Sequence, residues 1–124
     1  VKMKPLYTEA IKALRGIVEF SPDKYQNKMF LLEAELYSFN KKDEQAQAKY
    51  DLAISAAKDL TYVHEEGLAN ELAGVHYKKK GDVAEALVYF QRAKDCYTSW
   101  GSDMKVESIQ QQMSRLNAQG GQVE

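Results

Sequence analysis

The feature that most constrains this chain is an internal repeat, because the sequence resembles itself after a shift of 40 residues. Under this shift, small residues meet small residues and aromatic residues meet aromatic ones. The matched pairs are Ala34 with Gly74, Tyr37 with Tyr77, Ala46 with Ala86, Tyr50 with Phe90, and Ala53 with Ala93. A period of this size indicates stacked helical hairpins.

Apolar residues recur at helical spacing through most of the chain, and strand-like alternation is absent. Both prolines, Pro5 and Pro22, come early, and glycine mostly falls between the periodic segments. Gly81 followed by Asp82 predicts the end of one helix and the cap of the next. The pattern predicts one all-α domain over residues 1–119 with a tail at 120–124. Its six helices are expected at about 5–20, 22–40, 44–60, 62–80, 83–99 and 102–118.

The residue types of the repeat suggest how the helices pack. Ala34 and Gly74 are predicted to lie where two helices cross closely, with Tyr50 and Phe90 filling the space beside them. A glycine inside a helix costs up to about 1 kcal/mol relative to alanine, so Gly74 needs a packing reason. The full set of predicted packing residues is Ala34, Tyr37, Ala46, Tyr50, Ala53, Gly74, Tyr77, Ala86, Phe90, Ala93 and Trp100. Trp100 is expected to plug the hairpin end beneath the last helix.

Residues 72–93 resemble one tetratricopeptide repeat. The matching residues are Gly74, Tyr77, Gly81, Ala86, Phe90 and Ala93, and residues 30–57 give a weaker copy with Lys41 at a position where the family prefers glycine. The period exceeds the usual family length of about 34 residues, so we expect the connection at 60–62 and the adjoining helix ends to be extended. The resemblance implies antiparallel hairpins in a short right-handed solenoid. Residues 5–20 would be a partial repeat, 22–60 and 62–100 two repeats, and 102–118 a capping helix.

A second resemblance concerns residues 25–110. The run Ala69-Asn70-Glu71-Leu72-Ala73, then Tyr97, Trp100-Gly101 and Lys105-Val106, is similar to the repeat region of very large multidomain sensor kinases, although Ser102-Asp103 departs from that pattern. Those proteins combine a protein-kinase-like domain, an ATPase module, helical repeats, a sensor domain and a histidine kinase. The implied function is a cytoplasmic, non-enzymatic scaffold that passes conformational change between domains.

By the family pattern, the first helix of each hairpin lines a concave protein-binding face. The predicted lining residues are Lys28, Leu31, Glu35, Ser38, Leu68, Glu71, Val75 and Lys78. Chaperone-binding members of the family hold a peptide carboxylate with basic and amide side chains there, whereas Leu31, Glu35, Glu71 and Val75 occupy those places here. A free-standing adaptor or co-chaperone that binds a peptide remains the alternative. Packing of this face against other helices of the parent protein is equally open.

Other classes of function have little support in the sequence. The net charge of −1 offers no positive field for nucleic acid or an anionic membrane. His64 and His76 lack further ligands at metal-binding spacing, and Cys96 lacks a neighbouring base. We therefore predict no enzyme activity, no cofactor and no bound metal, with protein as the partner. The isolated chain is expected to be a monomer of modest stability or to associate through its N-terminal helix.

Overall fold

The computed structural model describes residues 22–123, with side chains for 26–118. This part of the chain contains α-helices and no strand, which confirms the all-α prediction there. The helix predicted at 5–20 lies outside the described residues, so the described count is five rather than six. The helices are α1 (Pro22–Phe39), α2 (Asp43–Asp59), α3 (Val63–Lys80), α4 (Val83–Trp100) and α5 (Asp103–Val123).

The turns between the helices recur every 20 residues and share one backbone geometry. Lys41, Thr61, Gly81 and Gly101 all have positive φ, at 61°, 57°, 92° and 91°. At three of the four turns, the residue that follows the positive-φ residue donates its N–H back to a tyrosine carbonyl of the preceding helix. These bonds are Lys42 to Tyr37 at 2.8 Å, Asp82 to Tyr77 at 2.9 Å and Ser102 to Tyr97 at 3.0 Å. Such bonds satisfy carbonyls left open at a helix end.

The extra length of the period lies in the helices. Only residues 60–62 separate α2 from α3, and these two helices have 17 and 18 residues. The expected lengthening of the connection itself is therefore wrong, while long helix ends agree with the expectation. The last helix also continues to Val123, beyond the predicted end at residue 118.

The N-cap residue of α4 makes a side-chain cap bond, whereas those of α2 and α3 do not. The Asp82 carboxylate accepts a hydrogen bond from the Glu85 N–H at 3.2 Å, which is one half of the predicted capping box. Asp43 lies in the first turn of α2, directly after Lys42. At that place its negative charge is stabilised by the positive end of the helix dipole.

The chain divides into two compact units, residues 1–61 and 62–124, and the boundary falls where the sequence predicts one repeat to end. In unit 1, α1 packs against α2. Its buried apolar residues are Ala34, Ala46, Tyr50, Ala53 and Ala57, so small side chains surround one aromatic ring. The prediction of one domain over 1–119 stays a prediction.

In unit 2, α3 packs against α4 through two glycines and two rings. A Cβ added to Gly74 would lie 2.8 Å from two ring carbons of Phe90, and one added to Gly67 would lie 2.9 Å from a ring carbon of Tyr97. Phe90 and Tyr97 are both fully buried. Close approach of the two helices therefore explains Gly74, as the sequence predicts, and explains Gly67 in the same way.

Helix α5 packs on α4 with a single apolar stripe. Ile109 and Leu116 are buried, whereas Val106 and Met113 are half-buried. Most of the other described positions of α5 are exposed and polar. A terminal helix of a repeat array requires one buried apolar face and one solvent-exposed polar face.

Most of the predicted packing residues are buried, and Trp100 is the clear exception. Its ring is 53% exposed. It stacks on the imidazole of His64 from the first turn of α3, with ring centroids 4.4 Å apart. The prediction that Trp100 plugs the hairpin beneath the last helix is therefore wrong, because Gly101 turns the chain immediately after it and the ring stays outside. Tyr37 is half-buried.

Candidate protein-binding faces

The eight predicted binding residues lie on two helices, four in each unit. We call Lys28, Leu31, Glu35 and Ser38 the α1 face, and Leu68, Glu71, Val75 and Lys78 the α3 face. Steps of three and four residues place each set on one side of its helix. Both lysines are exposed, and the other six residues are half-buried. Each face combines apolar and charged side chains within about three turns of helix.

Glu71 is the most connected residue of the α3 face. The Tyr97 hydroxyl of α4 donates to Glu71 Oε1 at 2.9 Å, and Lys105 Nζ of α5 lies 3.4 Å from the same oxygen. Lys105 Nζ also lies 5.2 Å from the centre of the Tyr97 ring. One carboxylate thus joins all three helices of unit 2. Burial raises the pKa of Tyr97 well above its usual range, and the hydrogen bond to the Glu71 carboxylate raises it further.

Glu35 has the corresponding arrangement on the α1 face. The hydroxyl of Tyr50, a buried residue of α2, donates to Glu35 Oε2. Two residues earlier on α1, Glu33 pairs with Lys49 of α2 at 3.3 Å. Lys49 Nζ also lies 5.4 Å from the centre of the Phe30 ring. Glu33 and Glu35 of α1 are therefore both held by side chains of α2.

Sequence reasoning identified Glu35 and Glu71 as lining residues but gave no role to the groups that hold them. Tyr50 was assigned to packing alone, and Tyr97 and Lys105 entered only through the family resemblance. The available signal was the aromatic ring itself, since a buried tyrosine needs an acceptor for its hydroxyl. The acceptors lie 15 and 26 residues away, on the preceding helix, so they could not be found from local spacing.

Unit 2 also exposes two large apolar side chains, Trp100 and Met104. Met104 is 85% exposed, and Trp100 lies four residues earlier beside His64. The His64 imidazole therefore packs on the Trp100 ring. His76 is 3% exposed and meets the Tyr77 ring edge-on, with centroids 5.3 Å apart. Cys96 is half-buried.

Within residues 22–123, the histidines, cysteine and acids form no group of three or more that could hold a metal ion. None of the helices in this part of the chain is both long enough and apolar enough to cross a membrane. Comparison with protein-family models, with curated proteins and with solved structures yields no match.

Proposed function

We propose that this chain is a non-enzymatic protein-interaction and scaffold module built from tetratricopeptide-like hairpins. The observation that carries the proposal is the regular spacing of its parts. Helices α2 to α5 begin at residues 43, 63, 83 and 103, and left-handed turns stand at 41, 61, 81 and 101. Such regularity is typical of helical repeats, whose extended surfaces bind other proteins.

The setting we propose is an interdomain segment of a multidomain signal-transduction kinase in the cytoplasm. The proposal rests on the resemblance of residues 25–110 to the repeat region of such proteins. Stiff helices joined by turns of two or three residues support a role in transmitting force or position between domains. The module itself would carry no catalytic residue, and the parent chain would supply the chemistry.

The co-chaperone alternative receives less support. A partner's terminal carboxylate would meet Glu35 on the α1 face or Glu71 on the α3 face, and two like charges repel. A peptide-binding adaptor that recognises other chemistry is compatible with both faces.

The test is capture of partner proteins by the immobilised chain. One variant pair introduces negative charge on the α3 face, and a control pair introduces it elsewhere. Leu68→Glu with Val75→Glu changes the α3 face. Leu52→Glu with Val88→Glu makes the same chemical changes at side chains that are 45% and 40% exposed on α2 and α4. We expect a discrete partner to be retained by the second pair and lost by the first, with similar helical circular dichroism for both. If both variant pairs retain the partner equally, the proposal that the α3 face binds it is refuted.

The identity of the captured protein separates the two settings. Segments of a polypeptide that also carries kinase, ATPase or sensor domains would support the interdomain role. A free-standing chaperone or enzyme, captured through the same face, would favour the adaptor instead.

A further inference from the structure

Each predicted binding face presents one carboxylate that a buried tyrosine holds in place. Tyr50 donates to Glu35 in unit 1, and Tyr97 donates to Glu71 in unit 2. The two tyrosines are 1% and 0% exposed. Close packing fixes the position of a buried ring. The hydroxyl therefore fixes the carboxylate that accepts its hydrogen bond.

Within the part of the chain that the structure describes, the hydrogen bonds and the ion pair of these carboxylates involve one of the two oxygens in each. Tyr97 and Lys105 both approach Oε1 of Glu71, and Tyr50 approaches Oε2 of Glu35. Among the described residues, no hydrogen bond or ion pair engages Glu71 Oε2 or Glu35 Oε1. Neither atom is one of the buried unpaired oxygens. One oxygen satisfies the tyrosine, so the second is left for another donor.

An apolar side chain stands one turn of helix from each carboxylate. Leu31 precedes Glu35 by four residues, and Val75 follows Glu71 by four residues. The 40-residue shift aligns Leu31 with Glu71 and Glu35 with Val75, so the two units carry the pair in opposite order. Although the positions differ, both faces offer a fixed carboxylate beside an apolar group. Each face also carries an exposed lysine, Lys28 or Lys78, seven residues from its carboxylate, and Lys105 pairs with the Oε1 atom of Glu71.

We propose that these faces bind a segment that places an arginine or lysine side chain next to an apolar side chain. This inference rests on the proposed function, because it names the partner chemistry for the same faces. A cation that donates to the open carboxylate oxygen makes a charge-assisted hydrogen bond, which is stronger than a neutral one. A carboxylate that is already oriented loses little side-chain entropy on binding. The neighbouring leucine or valine would be covered by the apolar residue of the segment.

The test uses a change that removes charge and keeps the tyrosine bond. Glu35→Gln with Glu71→Gln leaves an amide oxygen to accept from each tyrosine hydroxyl. Glu44→Gln with Glu107→Gln is the matched control, because it removes one exposed acid from each unit and changes the net charge equally. The probe is a synthetic helical peptide with arginine and leucine one turn apart. Versions with glutamine or glutamate in place of arginine serve as peptide controls.

We expect the arginine peptide to bind the original chain and the control pair with the same Kd. Binding to the Glu35→Gln, Glu71→Gln pair should be weaker by about tenfold or more, which corresponds to losing one charge-assisted hydrogen bond. The glutamine peptide should lose a similar factor against the original chain. That arm tests the same contact without altering the protein, so it holds even if a variant unfolds more readily.

Three results would overturn the inference. Equal loss in both variant pairs would mean that net charge alone attracts the peptide. The glutamine and arginine peptides could bind equally well, with Leu68→Glu and Val75→Glu abolishing the binding of both. That result would support the α3 face as a binding site and refute a requirement for a cationic side chain in the partner. If none of the peptides binds, the cationic partner is likewise refuted, and the capture experiment decides the proposed function separately.

Discussion

Gly74 shows how one missing side chain sets the distance between α3 and α4. An added methyl would lie 2.8 Å from Cδ1 and Cε1 of Phe90, and the ring is fully buried. Alanine would gain up to about 1 kcal/mol in helix propensity. Overpacking a dense core costs about 1–3 kcal/mol. The clash should therefore outweigh the gain in propensity.

We expect Gly74→Ala to lower the free energy of unfolding by about 1–2 kcal/mol, measured by urea denaturation. Adding Phe90→Leu to Gly74→Ala should recover part of the loss, because the smaller side chain gives space to the new methyl. A Gly74→Ala protein as stable as the original would show that the helices separate at little cost.

The turn at Thr61 is the opposite case, because a residue with a side chain occupies a backbone conformation that favours glycine. Thr61 has φ of 57°, a left-handed conformation that costs an L-residue roughly 1–2 kcal/mol and is least suited to a β-branched side chain. Gly81 and Gly101 occupy the corresponding places in unit 2. Glycine loses more backbone entropy on folding, which offsets part of the gain.

Thr61→Gly should therefore raise the free energy of unfolding by about 0.5–1 kcal/mol. Gly81→Ala is the reciprocal variant and should lower it by a similar amount, although an added Cβ would meet no atom within 4 Å. Thermal and urea unfolding of both variants check the pair. A loss of stability in Thr61→Gly would mean that its side-chain bond to the Leu60 carbonyl matters more than backbone strain.

At the scale of helices, sequence pattern predicts existence and bounds well. Four of the five described helices lie within one residue of the predicted bounds at both ends, because prolines, glycines and capping acids mark them locally. The end of α5 was missed because Gly120 and Gly121 read as a stop. The exposed position of Trp100 was not predicted, because the burial of a residue at a helix end depends on which other element packs over it. The local sequence does not indicate that packing.

The contact of Tyr97 with Glu71 and Lys105 joins α3, α4 and α5, and it makes stability depend on pH in a specific direction. The folded pKa of Tyr97 lies above that of a tyrosine in the unfolded chain, which is about 10. The folded state therefore keeps this proton when the unfolded state loses it. The stabilisation is fully present below about pH 10 and is lost progressively as the pH rises above that value.

We expect Tyr97→Phe to lower the free energy of unfolding at neutral pH by about 0.5–1.5 kcal/mol, since Glu71 loses a donor. Above about pH 10 the original chain should lose stability faster than the variant, by up to about 1.4 kcal/mol per pH unit. Urea unfolding across this pH range measures the difference between the two curves. Parallel curves would contradict the assignment, because the other tyrosines and the lysines titrate in both proteins.

At the scale of the whole chain, the sequence predicts one domain, while the structure divides it into units at residues 61 and 62. The candidate faces show the same limit. The family resemblance implied Glu35 and Glu71 as lining residues, but only tertiary structure shows that tyrosines from the next helix hold them. Long-range pairing has no local signature, which is why it could not be read from the repeat.

Whether the two units unfold together can be decided with the single tryptophan of the chain. Trp100 lies in unit 2, so its fluorescence follows that unit, whereas circular dichroism follows all helices. Ala46 and Ala86 are equivalent under the 40-residue shift and are both fully buried, one in each unit. Replacing either with glycine should cost about 1–2 kcal/mol through lost helix propensity and a lost buried methyl.

If residues 1–119 form one domain, as the sequence predicts, Ala46→Gly and Ala86→Gly should shift the urea midpoints of both signals together. Nearest-neighbour coupling between repeats is the physical reason, since losing one hairpin removes an interface from the next. If Ala46→Gly moves the circular dichroism curve and leaves Trp100 fluorescence unchanged, the units unfold independently. The single-domain prediction would then be wrong. The chain would act as two separately folding units, one carrying Glu35 and the other Glu71.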